Sequence, residues 1–269
     1  MQSFPLHYLP IMFGLLMLAT FIISYSISAA NGVVSVLFPY ISDTGTLAPQ
    51  SCIFGQLLNL SAFLDHIFGH YFPQLMGAFL IPACLCVYCW YSHQMDRYET
   101  MNSPRSHQIF ARFALALGLL AAFGLSLVAN FQETNVLVVH GIGAFMTFGC
   151  GTLYTLLVCH ASRKHLNAPP KLCGFRIFLC VISTVAFIFM FVFAILSDPT
   201  KHLPPTKWDP KDEGYVYHAL SCFCEWLLAF SFLTYFATMV YELRDYCLDP
   251  VKVRYRYTDL DQNTAEVFA

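Results

Sequence analysis

The stretch Ile177-Phe178-Leu179-Cys180-Val181-Ile182-Ser183-Thr184-Val185-Ala186-Phe187-Ile188-Phe189-Met190-Phe191-Val192-Phe193-Ala194-Ile195-Leu196 carries no charge at any of its positions. A helix of ~20 apolar residues spans the ~30 Å hydrocarbon core of a bilayer with every backbone group bonded internally. No stretch of this length and composition suits a water-soluble helix, which keeps one polar face. Working outward, residues 11–29, 111–129, 136–159 and 219–240 repeat the pattern almost without charge. A further apolar region, 53–92, is too long for one simple crossing. The chain is therefore an integral membrane protein.

Composition agrees. Of 269 residues, 57% are hydrophobic and 11% charged, about half the charged share of an ordinary soluble domain. Phe at 26 positions and Tyr at 15 suit lipid-facing helices and interfacial rings. A net charge of −2 from 14 basic and 16 acidic residues excludes a nucleic-acid-binding module. One six-helix transmembrane domain over residues 1–245 uses nearly the whole chain, and 246–269 reads as a flexible cytosolic tail. The first apolar run, Ile11–Ala29, has only His7 in place of a basic leader and exceeds the usual signal length, so it reads as a retained helix.

Loop charges set the expected orientation. The loop 160–176 holds Arg163, Lys164, Lys171 and Arg176 without an acid. Loop 93–110 and the segment after the last span also hold basic residues, whereas 30–52 carries only Asp43 and 130–135 only Glu133. Lysine and arginine collect on the cytosolic side, which places both termini there and requires an even number of crossings. Six fits. Within 53–92, Asp65, His66, Gly69, His70 and Pro73 interrupt the apolar character. The expectation is one crossing with a re-entrant or interfacial piece, or one long broken helix, because a charged break in mid-hydrocarbon is costly.

The polar residues at the membrane border gather on the non-cytosolic side. Asp43 lies in the first outer loop, Asn59 near the outer start of the second apolar region, and Asn130 at the end of the third span. His140 sits one turn into the fourth, Asp198 closes the fifth, and His218 opens the sixth with Glu225 two turns below on the same face. Two histidines with carboxylates in reach suit metal binding or shared acid–base work, and Ser, Thr and Asn neighbours suit a lipid headgroup. Interhelical hydrogen bonding that only fixes packing is the alternative. No His-x-x-x-His or His-Glu-x-x-His spacing is present, so neither a catalytic residue, a cofactor nor a metal-ligand set is assigned. Glu225 is the most informative member, since a carboxylate at membrane depth is a functional candidate by default.

Other patterns carry less. Most of the 11 cysteines fall inside spans and read as small buried hydrophobes, Cys86 and Cys89 included, and Cys52 has no evident disulfide partner. Gly141, Gly143, Gly149 and Gly151 read as close helix packing. The segment Asp209-Pro210-Lys211-Asp212-Glu213-Gly214 reads as a turn before the last span.

The run Pro39-Tyr40-Ile41-Ser42-Asp43-Thr44-Gly45, followed by Pro49, Cys52, Phe54, Leu58 and Asn59, resembles the first-loop signature of the damage-regulated autophagy modulator (DRAM) family. Gly124–Gln132, Lys207–His218 and His140 extend the resemblance from about residue 10 to 245. It implies a six-span protein of lysosomal or other endomembranes linked to autophagy and, through some members, to apoptosis. The wider superfamily includes FRAG-like factors of glycosylphosphatidylinositol remodelling and Sfk-like proteins tied to lipid asymmetry. The resemblance brings no catalytic residues. The chain departs from the family pattern by an extra piece near Ser61–Gly77, an irregular insertion near the second span.

The expected architecture is thus an all-α, polytopic membrane bundle of six transmembrane helices. The expected role is a lysosomal or endosomal protein that modulates autophagy without being an enzyme. Its partners would be membrane lipids and, through the tail pattern Tyr257-Thr258-Asp259-Leu260, trafficking adaptors. Two other classes stay open. One is a lipid-remodelling enzyme of the lumenal leaflet built on Asp43, His140, His218 and Glu225; the other is a transporter or scaffold.

Overall fold

Prolines stand at or near the start of four helices, and left-handed Asn or Asp residues follow the ends of three. A computed structural model describes residues 4–35, 39–48, 50–59, 80–198 and 206–248. The insertion at 61–77, the tail beyond 248 with Tyr257 and Leu260, and the side chain of Asn59 lie outside the described residues. Helix α1 spans Tyr8–Ala30 with Pro10 in its first turn, where its missing N–H has no intrahelical partner to lose. A short 3₁₀ turn, Asp43–Gly45, leads to α2, Gln50–Asn59. Helix α3, Leu80–Thr100, carries Pro82 at its third position, and α4, Arg105–Asn130, starts directly after Pro104. Helix α5 is Leu137–Lys164, α6 is Pro170–Ser197 with Pro at its first position, and α7 is Tyr215–Leu243. Asn102, Asn167 and Asp198 take positive φ just past α3, α5 and α6, the cap conformation that short polar side chains tolerate.

Five of these helices, α1 and α4 to α7, are long and apolar enough to cross a membrane. Each outruns its apolar run in the sequence, by up to seven residues at the start of α6, because the polar end turns are helical too. With α3 they form the six-helix bundle, an all-α polytopic membrane fold. Packing runs in a closed ring, α1 to α3, α3 to α4, α4 to α5, α5 to α6, α6 to α7 and α7 back to α1, with α2 lying against α1. Large side chains such as Leu15, Phe113, Val138, Phe178 and Ile195 point outward and exposed. An apolar exterior of that extent is the mark of a surface that meets lipid.

The chain ends meet. Phe4 and Pro5 pair antiparallel with Leu248 and Cys247, and Leu6 N–H donates to Tyr246 O at 2.9 Å. The start of α1 and the end of α7 therefore share one end of the bundle, which demands an even number of crossings. Residues 246–248, counted with the tail in the sequence, are held against the bundle, with Tyr246 Oη donating to Asp96 at 2.8 Å. We call this the basic end and the opposite one the cap end. The apolar region 53–92 divides into α2 and α3, separated by residues outside the description.

Of the four α5 glycines expected to serve close packing, Gly143, Gly149 and Gly151 each have a neighbour within 3.3 Å of an added Cβ and Gly141 does not, while Gly124 of α4 adds a contact that was not expected. A Cβ on Gly124 would lie 2.6 Å from the Thr147 nitrogen, and one on Gly143 would lie 2.8 Å from Leu127 Cβ, so the two backbones touch. Gly151 lies under Phe232, whereas Gly141 has open space around it. Beside the Gly124 contact, Met146–Cys150 forms a π-helical turn within α5, a bulge often found at functional sites.

At the basic end, Arg176 is wholly buried, a placement that loop charge alone did not reveal. Its guanidinium donates to both Glu242 oxygens at 2.6 and 2.8 Å, to Ser162 Oγ at 2.8 Å, and to Thr238 Oγ1 and O at 2.9 and 3.2 Å. It also lies 5.1 Å from the Trp90 ring centroid and 5.6 Å from that of Tyr235. One side chain thereby joins α3, α5, α6 and α7.

Candidate functional site

Four consecutive residues of the first cap-end loop reach three partners, His218, Glu225 and Glu133. The Tyr40 ring meets His218 edge to face at 5.0 Å. Ile41 N–H donates to Glu225 Oε2 at 2.7 Å. Ser42 Oγ donates to Glu133 Oε2 at 2.9 Å. Asp43 is 3% exposed and interacts electrostatically with Glu133 and Glu225. The loop is held from below as well: Trp226 Nε1 donates to Pro39 O at 2.9 Å, and Ser24 and Ser28 of α1 bond to Thr44 Oγ1 and O. Phe54 of α2 lies over Gly45, where a Cβ would come within 2.6 Å of its ring.

Helix periodicity explains why these groups converge. His218 and Glu225, seven residues apart on α7, share its buried face. His140 lies in the first turn of α5, buried, with its Nδ1 2.7 Å from Phe131 O. A carbonyl only accepts, so Nδ1 carries the proton and Nε2 faces Glu133 Oε2 at 4.0 Å. His218 stacks on Trp208 at 4.4 Å and lies 3.5 Å from Cys222 Sγ. The two histidines thus have separate partners, joined through the Tyr40–Ser42 loop.

The site is rich in carboxyl groups. Burial, then the charges of Glu133 and Glu225, hold the Asp43 carboxyl well above the usual carboxylate range. No described group hydrogen-bonds to Asp43 Oδ2. No described lysine or arginine pairs with Asp43, Glu133 or Glu225, and His140 is the basic group in contact. Among the described residues no group of three or more metal-type ligands converges.

Of the residues expected at the site, Asp43, His140, His218 and Glu225 meet around the loop. Asn130 does not: it is exposed and its amide turns back to Ser126 O at 2.8 Å. The reason is its position at the last residue of α4, where the free carbonyls of the final turn attract a donor. Asp198 caps α6 in left-handed conformation, and Asn59 ends α2. Glu133, Ser42, Tyr40 and Trp208 also belong to the site, although none of them stands in the expected polar cluster; Tyr40, Ser42 and Trp208 lie in the stretches that carry the family resemblance. Glu133 had a signal, being the one charge of its turn.

Beneath the cap lies a cavity of ≈ 120 Å³ between α1, α3, α4, α5 and α7. Ser42, His140 and Glu225 form its polar end, and Leu125, Tyr154, Phe232 and Phe236 are among its apolar walls.

A membrane-embedded helical ring with a carboxyl-rich cap over an apolar cavity defines a polytopic membrane protein with a buried polar site at one end. Residues 5–246 match the family described as Frag1/DRAM/Sfk1/Cwh43P N-terminal domain, and the chain belongs to that family. It is 38% identical to DNA damage-regulated autophagy modulator protein 1 of Homo sapiens, over 86% of this chain and 87% of that one. It is 33% identical to DNA damage-regulated autophagy modulator protein 2 of Bos taurus, over 82% and 78%. It is 31% identical to Modulator of macroautophagy TMEM150B of Xenopus tropicalis, over 77% and 73%. No solved structure matches the chain.

Proposed function

We propose that the protein is a lysosomal or endosomal multi-pass membrane protein that modulates autophagy by binding rather than by catalysis, with both termini in the cytosol. The observation behind the binding role is the use of the cap residues. Glu225, Glu133 and His218 contact the first loop, so the polar groups hold a shaped surface in place. The process comes from the relatives, whose names describe modulators of autophagy and macroautophagy. The orientation is supported by the basic loop 160–176 at the same end as both described chain termini.

Autophagic flux, measured as lysosome-inhibitor-sensitive turnover of an autophagosome marker, should fall when the protein is depleted and return when it is restored. Unchanged flux in both arms overturns the proposal. Two exposed cysteines test orientation, since Cys52 lies at the cap end and Cys247 at the basic end. A membrane-impermeant maleimide applied from the cytosolic side of intact organelles should label Cys247 and spare Cys52. The reverse pattern refutes the assigned topology. Tyr257→Ala should reduce lysosomal delivery, and equal delivery would remove the tail pattern from the argument.

A further inference from the structure

At the basic end, where α5 turns into α6, a second cavity of ≈ 550 Å³ opens between the two helices. Arg163 and Asn167 line it on the α5 side, and Pro170, Cys173, Gly174 and Ile177 on the α6 side. Those four α6 positions share one helix face. The turn that shapes the cavity is pinned by the chain itself. Leu166 N–H donates to Ala161 O at 3.0 Å and Ala168 N–H to Ser162 O at 2.9 Å, with Asn167 at a φ of 50° between them. Cys173 Sγ donates to Ala168 O at 3.5 Å, which ties the turn to α6. Gly174, in the middle of the lining face, has open space where a Cβ would stand.

The charge around this cavity selects an anion. Residues 160–176 hold Arg163, Lys164, Lys171 and Arg176 and no acid. Glu242 acts electrostatically on Cys173 in the cavity wall, but both its oxygens are already bonded to Arg176. Arg163, Lys164 and Lys171 are exposed, and no described carboxylate pairs with them. The Asn167 amide makes no hydrogen bond among the described residues, which leaves it free to donate. The foot of the cavity has the opposite character. Ile177 lines it and, like its neighbours Phe175 and Phe178, is exposed on the lipid-facing side of the bundle. Cations above an apolar foot open to hydrocarbon match a ligand with a negative head and acyl chains.

We propose that this cavity seats the headgroup phosphate of an anionic phospholipid in the leaflet at the basic end, its acyl chains running past Ile177 and Phe178. The Arg163 guanidinium donates to two phosphate oxygens and the Asn167 amide to a third, while Lys164 and Lys171 add positive potential at the rim. A zwitterionic phospholipid offers the same phosphate with its own cation attached, so the net charge of the head decides between them. The site lies at the opposite end of the bundle from the cap and is independent of the autophagy reading.

The test is native mass spectrometry of the full-length protein in detergent, titrated with phosphatidic acid or phosphatidylcholine, with and without excess inorganic phosphate. Saturable binding of phosphatidic acid, at least about tenfold tighter than phosphatidylcholine and retained in inorganic phosphate, is expected. The pair Arg163→Gln and Lys171→Gln removes two cations worth ~1 kcal/mol each and should weaken binding about 30-fold. Gly174→Phe keeps every charge, fills the open space on the lining face and should weaken binding at least about tenfold. All three positions are exposed, so both variants should melt as the unaltered protein does. Equal affinity for phosphatidylcholine, or undiminished affinity in the charge variant, refutes selection by charge. Displacement by inorganic phosphate refutes the lipid in favour of a free anion. Undiminished binding in folded Gly174→Phe refutes the cavity and leaves only attraction to a basic surface.

Discussion

Replacing Arg176 with Met should destabilise the bundle by about 3–5 kcal/mol, the range for removing one member of a buried ion pair. The magnitude follows from the geometry. Arg176 is 0% exposed, its fork bonds both Glu242 oxygens at 2.6 and 2.8 Å, and its three other contacts reach Ser162 and Thr238. Met fills similar volume, so little of the loss comes from a void; most comes from leaving the Glu242 carboxylate without its cation. Lysine restores the charge as a point donor but not the planar fork, so Arg176→Lys should recover only part of the loss. Replacing both partners, with Arg176→Met and Glu242→Leu, removes the stranded charge as well as the pair. The double variant should therefore be more stable than the sum of the two single changes, by about 1–3 kcal/mol. Reversible unfolding in mixed micelles across the four proteins measures the cycle directly. A loss below about 1 kcal/mol for Arg176→Met, or strict additivity in the double variant, would refute the view that this pair is dehydrated and coupled.

Other expectations concern the cap and the helix seam. Glu225→Ala strands the buried Ile41 N–H and should cost about 1–3 kcal/mol, while Glu225→Gln, which still accepts that bond, should cost clearly less in thermal unfolding. The raised Asp43 carboxyl means the folded chain keeps a proton that the unfolded chain releases above about pH 3.9. Stability should therefore fall as pH rises from that value through the folded pKa, and Asp43→Asn should flatten the slope. An unchanged melting profile against pH in the variant would show that other groups set it; Glu133, Glu225, Tyr40 and Cys222 are titratable groups that interact with Asp43. Gly124→Ala forces a methyl to within 2.6 Å of backbone nitrogen and should cost about 1–3 kcal/mol, whereas Gly141→Ala, with open space, should be neutral or gain up to ~1 kcal/mol. Equal melting temperatures for the two would contradict the close α4–α5 contact.

Much of the cap was legible in one dimension because period and polarity carry it. His218 and Glu225 stand seven residues apart in an apolar run, so they must share a helix face, and burial of that face follows from the cost of a carboxylate in lipid. Asn130 shows the limit. It borders the same membrane end, yet a helix-terminal amide finds a partner four residues back more readily than across the bundle. Glu133 shows the converse: it sits outside every apolar run, and only the approach of the 40–43 loop makes it part of the site. Gly141 and Gly143 look alike in sequence but point to different sides of α5, one to open space and one to α4.

The sequence by itself determined that this chain lives in a membrane, which five runs are long and apolar enough to cross it, and that Asp43, His140, His218 and Glu225 border the same end. Those features depend on transfer free energy and helical period, both properties of short segments. Tertiary structure alone decided the ring order of the helices, the burial of Arg176 on Glu242, the joining of Tyr40 to Asp43 with α7 and the α4–α5 turn, and the cavity beneath them. Each of those pairs residues far apart in the chain, such as Ile41 with Glu225 and Arg176 with Glu242. Such partnerships arise from how side-chain shapes and charges match once helices pack, and a local pattern of hydropathy contains no term for them.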